Sequence, residues 1–150
     1  MSNMIAREWH GVESGGGGKG FVVKGGSGSG YRAEQGSDYR PGISAETVGS
    51  KMIWLGIITL GPGRRTKAHV HEHHETALYM MSGDELEIWT GDQLQHCEKV
   101  HPGDYIYIPA GVLHVAVNRG ATPSVFVGSR NEATAQESVV MRPDMDARVP

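Results

Sequence analysis

Thr76-Ala77-Leu78-Tyr79-Met80-Met81, then Ser82-Gly83-Asp84, then Glu85-Leu86-Glu87-Ile88-Trp89-Thr90 and Gly91-Asp92, is the stretch whose rhythm decides the fold class. Short runs of β-prone residues are divided by Gly, Pro or Asp at intervals of about ten residues, the pattern of an antiparallel barrel or sandwich. Upstream, Met52 to Leu60 reads as a long strand with Gly56 as its bulge, ended by Gly61-Pro62-Gly63. Downstream, Gln93 to Val100, Tyr105 to Ile108, Leu113 to Asn118 and Ser124 to Ser129 continue the series, with turns at Pro102-Gly103-Asp104 and Pro109-Ala110-Gly111. Ser138 to Met141 adds a last strand. No segment keeps a helical period over three turns.

Towards the other end the composition changes. Gly11 to Gly36 is dominated by glycine, including the run Gly15 to Gly18, and such a segment buries too little apolar surface to offset its ordering entropy. The expected organisation is a glycine-rich arm or lid over residues 1–42 and one barrel over 43–150, with Phe21-Val22-Val23 as a short strand within the arm. Met4, Ile5 and Trp9 predict a short helical turn or edge strand in residues 1–10. Deleting residues 11–36 is expected to leave unfolding nearly unchanged. A phosphate-cradling loop is excluded, because no Gly-Lys-Ser/Thr ending follows the glycines.

The 150 residues fit one domain able to bury roughly two thirds of its unfolded surface. Net charge is −3 and no basic run exceeds Arg64-Arg65, which excludes an electrostatic footprint for nucleic acid. No apolar segment approaches the ~20 residues needed to cross a bilayer. The single cysteine, Cys97, closes no internal disulfide. The first residues lack the apolar core of a secretory signal, so a cytoplasmic location is the expectation. A small molecule is the expected partner.

Four of the eight histidines fall within the stretch His69-Val70-His71-Glu72-His73-His74. His69 and His71 are two apart, so on one strand both point to the same face and can hold an ion at about 2.1 Å from each nitrogen. His114 lies on another strand, after a Pro-x-Gly turn that reverses the chain. Imidazole suits Zn, Cu, Fe and Ni. His10, His96 and His101 read as ordinary surface or core histidines, and His73 and Glu72 as solvent-side groups. Zinc-finger, His-Glu-x-x-His and Ser-His-Asp readings fail on cysteine count, spacing and the missing Gly-x-Ser-x-Gly elbow.

Two segments match one arrangement. Gly63-x5-His69-x-His71-x3-Glu75, followed by Gly83, resembles the first motif of the cupin superfamily, and Gly103-x5-Pro109-x-Gly111-x2-His114-x3-Asn118 resembles the second. The resemblance covers residues 63–118 and implies a double-stranded β-helix, or jelly-roll barrel, with a metal inside. It departs at the fourth ligand: seven residues separate Glu75 from Gly83 where the family has six, so the register counted back from Gly83 falls on Thr76. On period 2 from Thr76, Leu78 and Met80, the inward neighbour is His74 and Glu75 points away. The expected ligands are therefore His69, His71, His74 and His114, with Glu75 as the alternative fourth if a bulge restores it.

Neutral imidazoles leave a divalent charge largely uncompensated, which suits a Lewis acid acting on a carbonyl or enol oxygen. Zinc is the first expectation; iron, nickel, copper and manganese are the alternatives. Non-redox chemistry fits such a site, and the cupins it resembles include isomerases, lyases and cyclases, the aromatic polyketide cyclase type among them. Glu75, where it is not a ligand, is the candidate base, and Tyr105 or Tyr107 the candidate donor to the oxyanion. Trp54, Met80, Met81, Trp89, Tyr105 and Tyr107 are enough to line an apolar cavity, with half of them facing outward or into the core. A dioxygenase with three histidines and one glutamate is the first alternative. A non-catalytic metal- or ligand-binding cupin is the second. Homodimerisation through edge strands is also implied by the resemblance.

Overall fold

The computed structural model describes residues 20, 22–26, 29–136 and 138–150. The element expected in residues 1–10, the run Gly15 to Gly18 and Phe21 lie outside these. Eleven strands follow in chain order: β1 (Tyr31–Arg32), β2 (Asp38–Ile43), β3 (Trp54–Leu60), β4 (His69–His71), β5 (Thr76–Ser82), β6 (Leu86–Thr90), β7 (His96–Val100), β8 (Tyr105–Ile108), β9 (His114–Val117), β10 (Ser124–Arg130) and β11 (Val139–Met141). They form two antiparallel sheets, one in the order β1-β2-β3-β10-β5-β8 and the other β11-β4-β9-β6-β7. The sheets face each other as a jelly roll, and nearly every strand read from the turn rhythm is present.

Alternation explains how the strands close on an interior. Along β3 and β10 every second residue is buried, and along β5 Thr76 and Met80 are buried while Ala77, Tyr79 and Met81 are exposed. Side chains of period 2 pointing inward from both sheets meet in a core of Tyr39, Trp54, Ile58, Leu60, Met80, Leu86, Ile108 and Phe126. Truncating a fully buried member such as Met80 to alanine would cost ~2–5 kcal/mol. Turn glycines do what the sequence requires of them. Gly83 has φ 123°, and a Cβ there would stand 2.8 Å from the Pro123 carbonyl oxygen.

Two expectations change. Gly56 is not a bulge: β3 pairs with β10 in unbroken register through Gly56 and Gly128, and the register shift lies in β2, between Pro41 and Ile43. Gly56 is needed instead because a Cβ would meet the Arg40 carbonyl oxygen at 2.5 Å and the Trp54 ring at 2.7 Å. The second change concerns the expected arm. Tyr31–Arg32 and Asp38–Ile43 belong to the sheet: β2 pairs along β3, β1 pairs with β2, and Ala33 and Gln35 in the turn between them are buried. Val22 is exposed and lies outside any strand. Composition over-weighted the glycines and missed Tyr39, which is buried against Trp54.

Two short helices appear. A single turn, α1 (Ala45–Val48), is capped by Ser44, whose hydroxyl accepts from the Thr47 N–H. The second is a 3-10 helix (Pro143–Arg148) that buries Met145 in a smaller core with Ala68, Leu94, Leu113 and Val115. Its Asp146 carboxylate accepts from the Ala68 N–H at 2.6 Å, and Arg65 donates to the carbonyls of Asp146 and Val149. Among the described residues, no helix is long and apolar enough to cross a membrane.

Candidate metal centre

β4 carries His69 and His71 on its inward face, and β9 starts with His114 directly opposite His69. All three are buried. Ring centroids lie 4.2 Å apart for His69 and His114, 5.0 Å for His69 and His71, and 5.2 Å for His71 and His114. One ring nitrogen of each stands within 4.8 Å of those of the other two, close enough for one ion to be shared.

Hydrogen bonds orient the rings. His69 Nδ1 donates to the Lys67 carbonyl at 2.6 Å and His114 Nδ1 to the Val112 carbonyl at 2.9 Å. Those bonds put the proton on Nδ1 and leave the Nε2 lone pair as a donor to metal. His71 Nδ1 is buried without a hydrogen-bond partner among the described residues. Burial holds the His69 imidazole down to about 4, against an ordinary 6.5. It holds His71 and His114 well below that ordinary value too, reinforced by the other histidines and by Arg130. Three neutral imidazoles with converging lone pairs are a donor set that fits a transition metal.

The remaining expected site residues lie elsewhere. His74 is buried beside His71, with ring centroids 4.4 Å apart, but it stands outside the three-histidine group and its Nδ1 is held by Glu132 at 2.7 Å. Glu75 points away from the cavity and accepts from the Tyr107 hydroxyl at 2.5 Å. Tyr105 and Tyr107 are 81% and 62% exposed, on the outer face of β8. The structure therefore does not bring Glu75, Tyr105 or Tyr107 to the histidines. Of the expected cavity aromatics, Trp54 is in the core, and Trp89 packs on the smaller core with its indole N–H donated to Glu87. His73 is exposed beside Glu72, and His96 and His101 are exposed.

The histidines open on a cavity of about 60 Å³ between the sheets, lined also by Thr76, Tyr39, Gln35, Leu78, Phe126 and Arg130. Thr76 is inward and buried, at the position that the count from Gly83 gives for the family's glutamate. Arg130 and Tyr39 were missed by sequence reasoning. The signal for Arg130 was present: from Phe126 the inward period runs through Gly128 to Arg130, one residue past the expected strand end.

Two sheets closing on such a histidine cluster define the cupin class, and residues 56–128 match the cupin domain family. The chain belongs to the cupin superfamily. Solved structures agree in fold. A tryptophan-to-phenylalanine variant of the oxalate decarboxylase of Bacillus subtilis is 18% identical with a TM-score of 0.65 over 81% of this chain and 32% of its own. An oxalate oxidase in complex with the substrate analogue glycolate is 20% identical, TM-score 0.65, covering 85% of this chain and 66% of its own. A predicted oxalate decarboxylase from Thermotoga maritima is 19% identical, TM-score 0.62, covering 75% and 99%. This chain thus spans about a third of the Bacillus protein and nearly all of the Thermotoga one. At these identities the likeness is one of fold. Among curated proteins, none matches the chain.

Proposed function

We propose that this chain is a metal-dependent cupin enzyme in which His69, His71 and His114 hold one divalent transition ion, zinc first, for non-redox chemistry on a small oxygen-bearing substrate. The observation that carries the reading is the buried trio of neutral imidazoles sharing one cavity, with no Asp or Glu among the residues that line it. A divalent ion so bound supplies Lewis acidity towards a carbonyl or enol oxygen of the substrate. Isomerase, lyase and cyclase chemistry all begin with that polarisation.

The protein's own contributions follow from position. Leu78, Ile106, Ile108 and Phe126 line the cavity and keep bulk water out. The Tyr39 and Thr76 hydroxyls face the same space and replace Tyr105 and Tyr107 as candidate donors to the substrate. With Glu75 outside, the cavity itself holds no carboxylate base, and Tyr39 is the group best placed to hold or move a proton at its Oη. The volume, about 60 Å³, suits a molecule of a few non-hydrogen atoms rather than a folded aromatic polyketide. Glu75's outward position also weighs against the three-histidine, one-glutamate dioxygenase. His74, behind His71, supports the ring without joining the trio.

Exposed Tyr79, Met81, Tyr105 and Tyr107 on the outer face of β5 and the edge strand β8 support a homodimer through that face. A monomeric mass in sedimentation would remove that part of the reading. The central test is elemental mass spectrometry of untagged protein. One ion per chain is expected, and a metal-free protein that takes up none from zinc-containing buffer would overturn the proposal.

A further inference from the structure

Arg130 is the cavity side chain that the metal reading leaves without a task. It is 3% exposed, and no acidic group pairs with it among the described residues. One guanidinium nitrogen, Nη2, donates to Tyr39 Oη at 2.6 Å, and the charge packs over the Tyr39 and Trp54 rings at 5.0 and 5.1 Å. The Nε and Nη1 groups are buried with no acceptor among the described residues. Arginine does not shed its proton inside proteins, so this is a buried positive charge with unfilled donors.

The two hydroxyls beside it in the cavity, those of Thr76 and Tyr39, can donate as well. Thr76 stands directly across from Arg130 on the next strand, and its Oγ1 is buried without a partner among the described residues. Tyr39 Oη already accepts from Arg130 and from Gln35 Nε2, the latter at 2.7 Å, so what it has left to give is its proton. Where the family resemblance expects a glutamate, this chain places the Thr76 hydroxyl. Ion loading sharpens the imbalance: a divalent cation would join the Arg130 charge in a cavity lined by no acid among the described residues. Such a wall is complementary to an anion with several acceptor positions in one plane.

We infer that Arg130, Thr76 and Tyr39 form a carboxylate-binding subsite inside the barrel, and that the substrate is a small carboxylate held there with a second oxygen towards His69, His71 and His114. The subsite stands on the orphaned donors alone; only the placing of the second oxygen rests on the metal reading above. Size narrows the class. About 60 Å³ is several times the ~10–15 Å³ that a single water needs, yet small enough to hold the acid to two or three carbons.

Acetate and its neutral isostere acetamide separate the charge from the shape. Ligand-observed NMR titrations of the full chain, zinc-loaded and chelator-stripped, are expected to show saturable acetate binding in both states and no comparable acetamide binding. In the stripped protein Arg130→Gln should weaken acetate at least about tenfold, and Thr76→Val about threefold. Absence of acetate binding to the wild-type chain, equal binding of acetamide, or wild-type affinity in a folded Arg130→Gln variant would each overturn the subsite. Should Arg130→Gln fail to fold, Thr76→Val and the acetamide comparison still decide. A chain that takes up no zinc yet discriminates acetate from acetamide through Arg130 would overturn the metal reading and leave the subsite standing.

Discussion

Arg130 and Glu87 are both buried charged residues, one in each sheet, and they are treated in opposite ways. Glu87 is fully served: Arg119 and Lys99 reach it at 3.0 and 3.1 Å, and the Trp89 indole N–H adds a third contact at 3.0 Å. The Arg119 hydrogen bond, aided by those of Trp89 and Lys99, holds its carboxyl down to about 2. Arg130 has one phenol and two aromatic faces, and among the described residues two of its nitrogens have nothing to donate to. Leaving a buried charge unpaired costs several kcal/mol, whereas a buried charge with partners roughly breaks even. The contrast separates a charge used to brace a sheet from one held ready for something that arrives from outside.

The widest expected gap between the two regions is in metal content. His69→Ala and His114→Ala are expected to take the protein from one ion per chain to none while leaving a folded barrel, and Glu87→Gln to change nothing in the same elemental analysis. Retention of full metal by either histidine variant would end the distinction.

Acid should separate the regions in pH. In chelated protein an unfolded histidine gains its proton near 6.5 but folded His69 only near 4, so the unfolded chain binds more protons between those values. Stability should therefore fall by ~2–3 kcal/mol from His69 alone as pH drops through that window. The stability due to Glu87 is present above the unfolded carboxyl value of 4.5 and is lost as pH falls towards about 2. Urea melts at stepped pH should show the cavity loss first. A single loss below pH 4 would mean the histidines are not held neutral.

Next in size is the end of the segment, residues 11–36, that composition reads as dispensable. Removing residues 31–36 takes away Ala33 and Gln35, and with Gln35 a donor to Tyr39, so a loss of ~2 kcal/mol or more is expected by denaturant melting. The smallest effect belongs to Glu75→Gln. Its partner Tyr107 is largely exposed, and metal content should stay at one per chain with stability within ~0.5 kcal/mol of wild type.

Fold and site were not equally legible in the sequence. Turn residues punctuate the barrel so regularly that strand positions could be read to within one or two residues at Thr76–Ser82 and Tyr105–Ile108. His69 and His71 were legible because one strand fixes their shared face, and His114 because its motif spacing is complete. Glu75 and the tyrosines were harder: an inward or outward assignment flips with one residue of register, and Tyr105-Ile106-Tyr107-Ile108 is apolar on both faces. Asp38–Ile43 was hidden by Pro41 and Gly42, which lower strand propensity but are tolerated beside the register shift there. Arg130 was hidden because an arginine at a strand end usually reads as surface. The inward period from Phe126 reaches it only one residue past the expected strand end, and its pairing with buried Thr76 agrees.

β11 pairs with β4 residue for residue, Val139 with His71 and Met141 with His69, on the side of β4 opposite β9, and Asp146 fastens the Ala68 N–H just before the strand. The strand that carries His69 and His71 is therefore completed on this side only by residues much later in the chain. A change in residues 139–149 would thus act on the backbone that carries His69 and His71, far along the chain from either histidine.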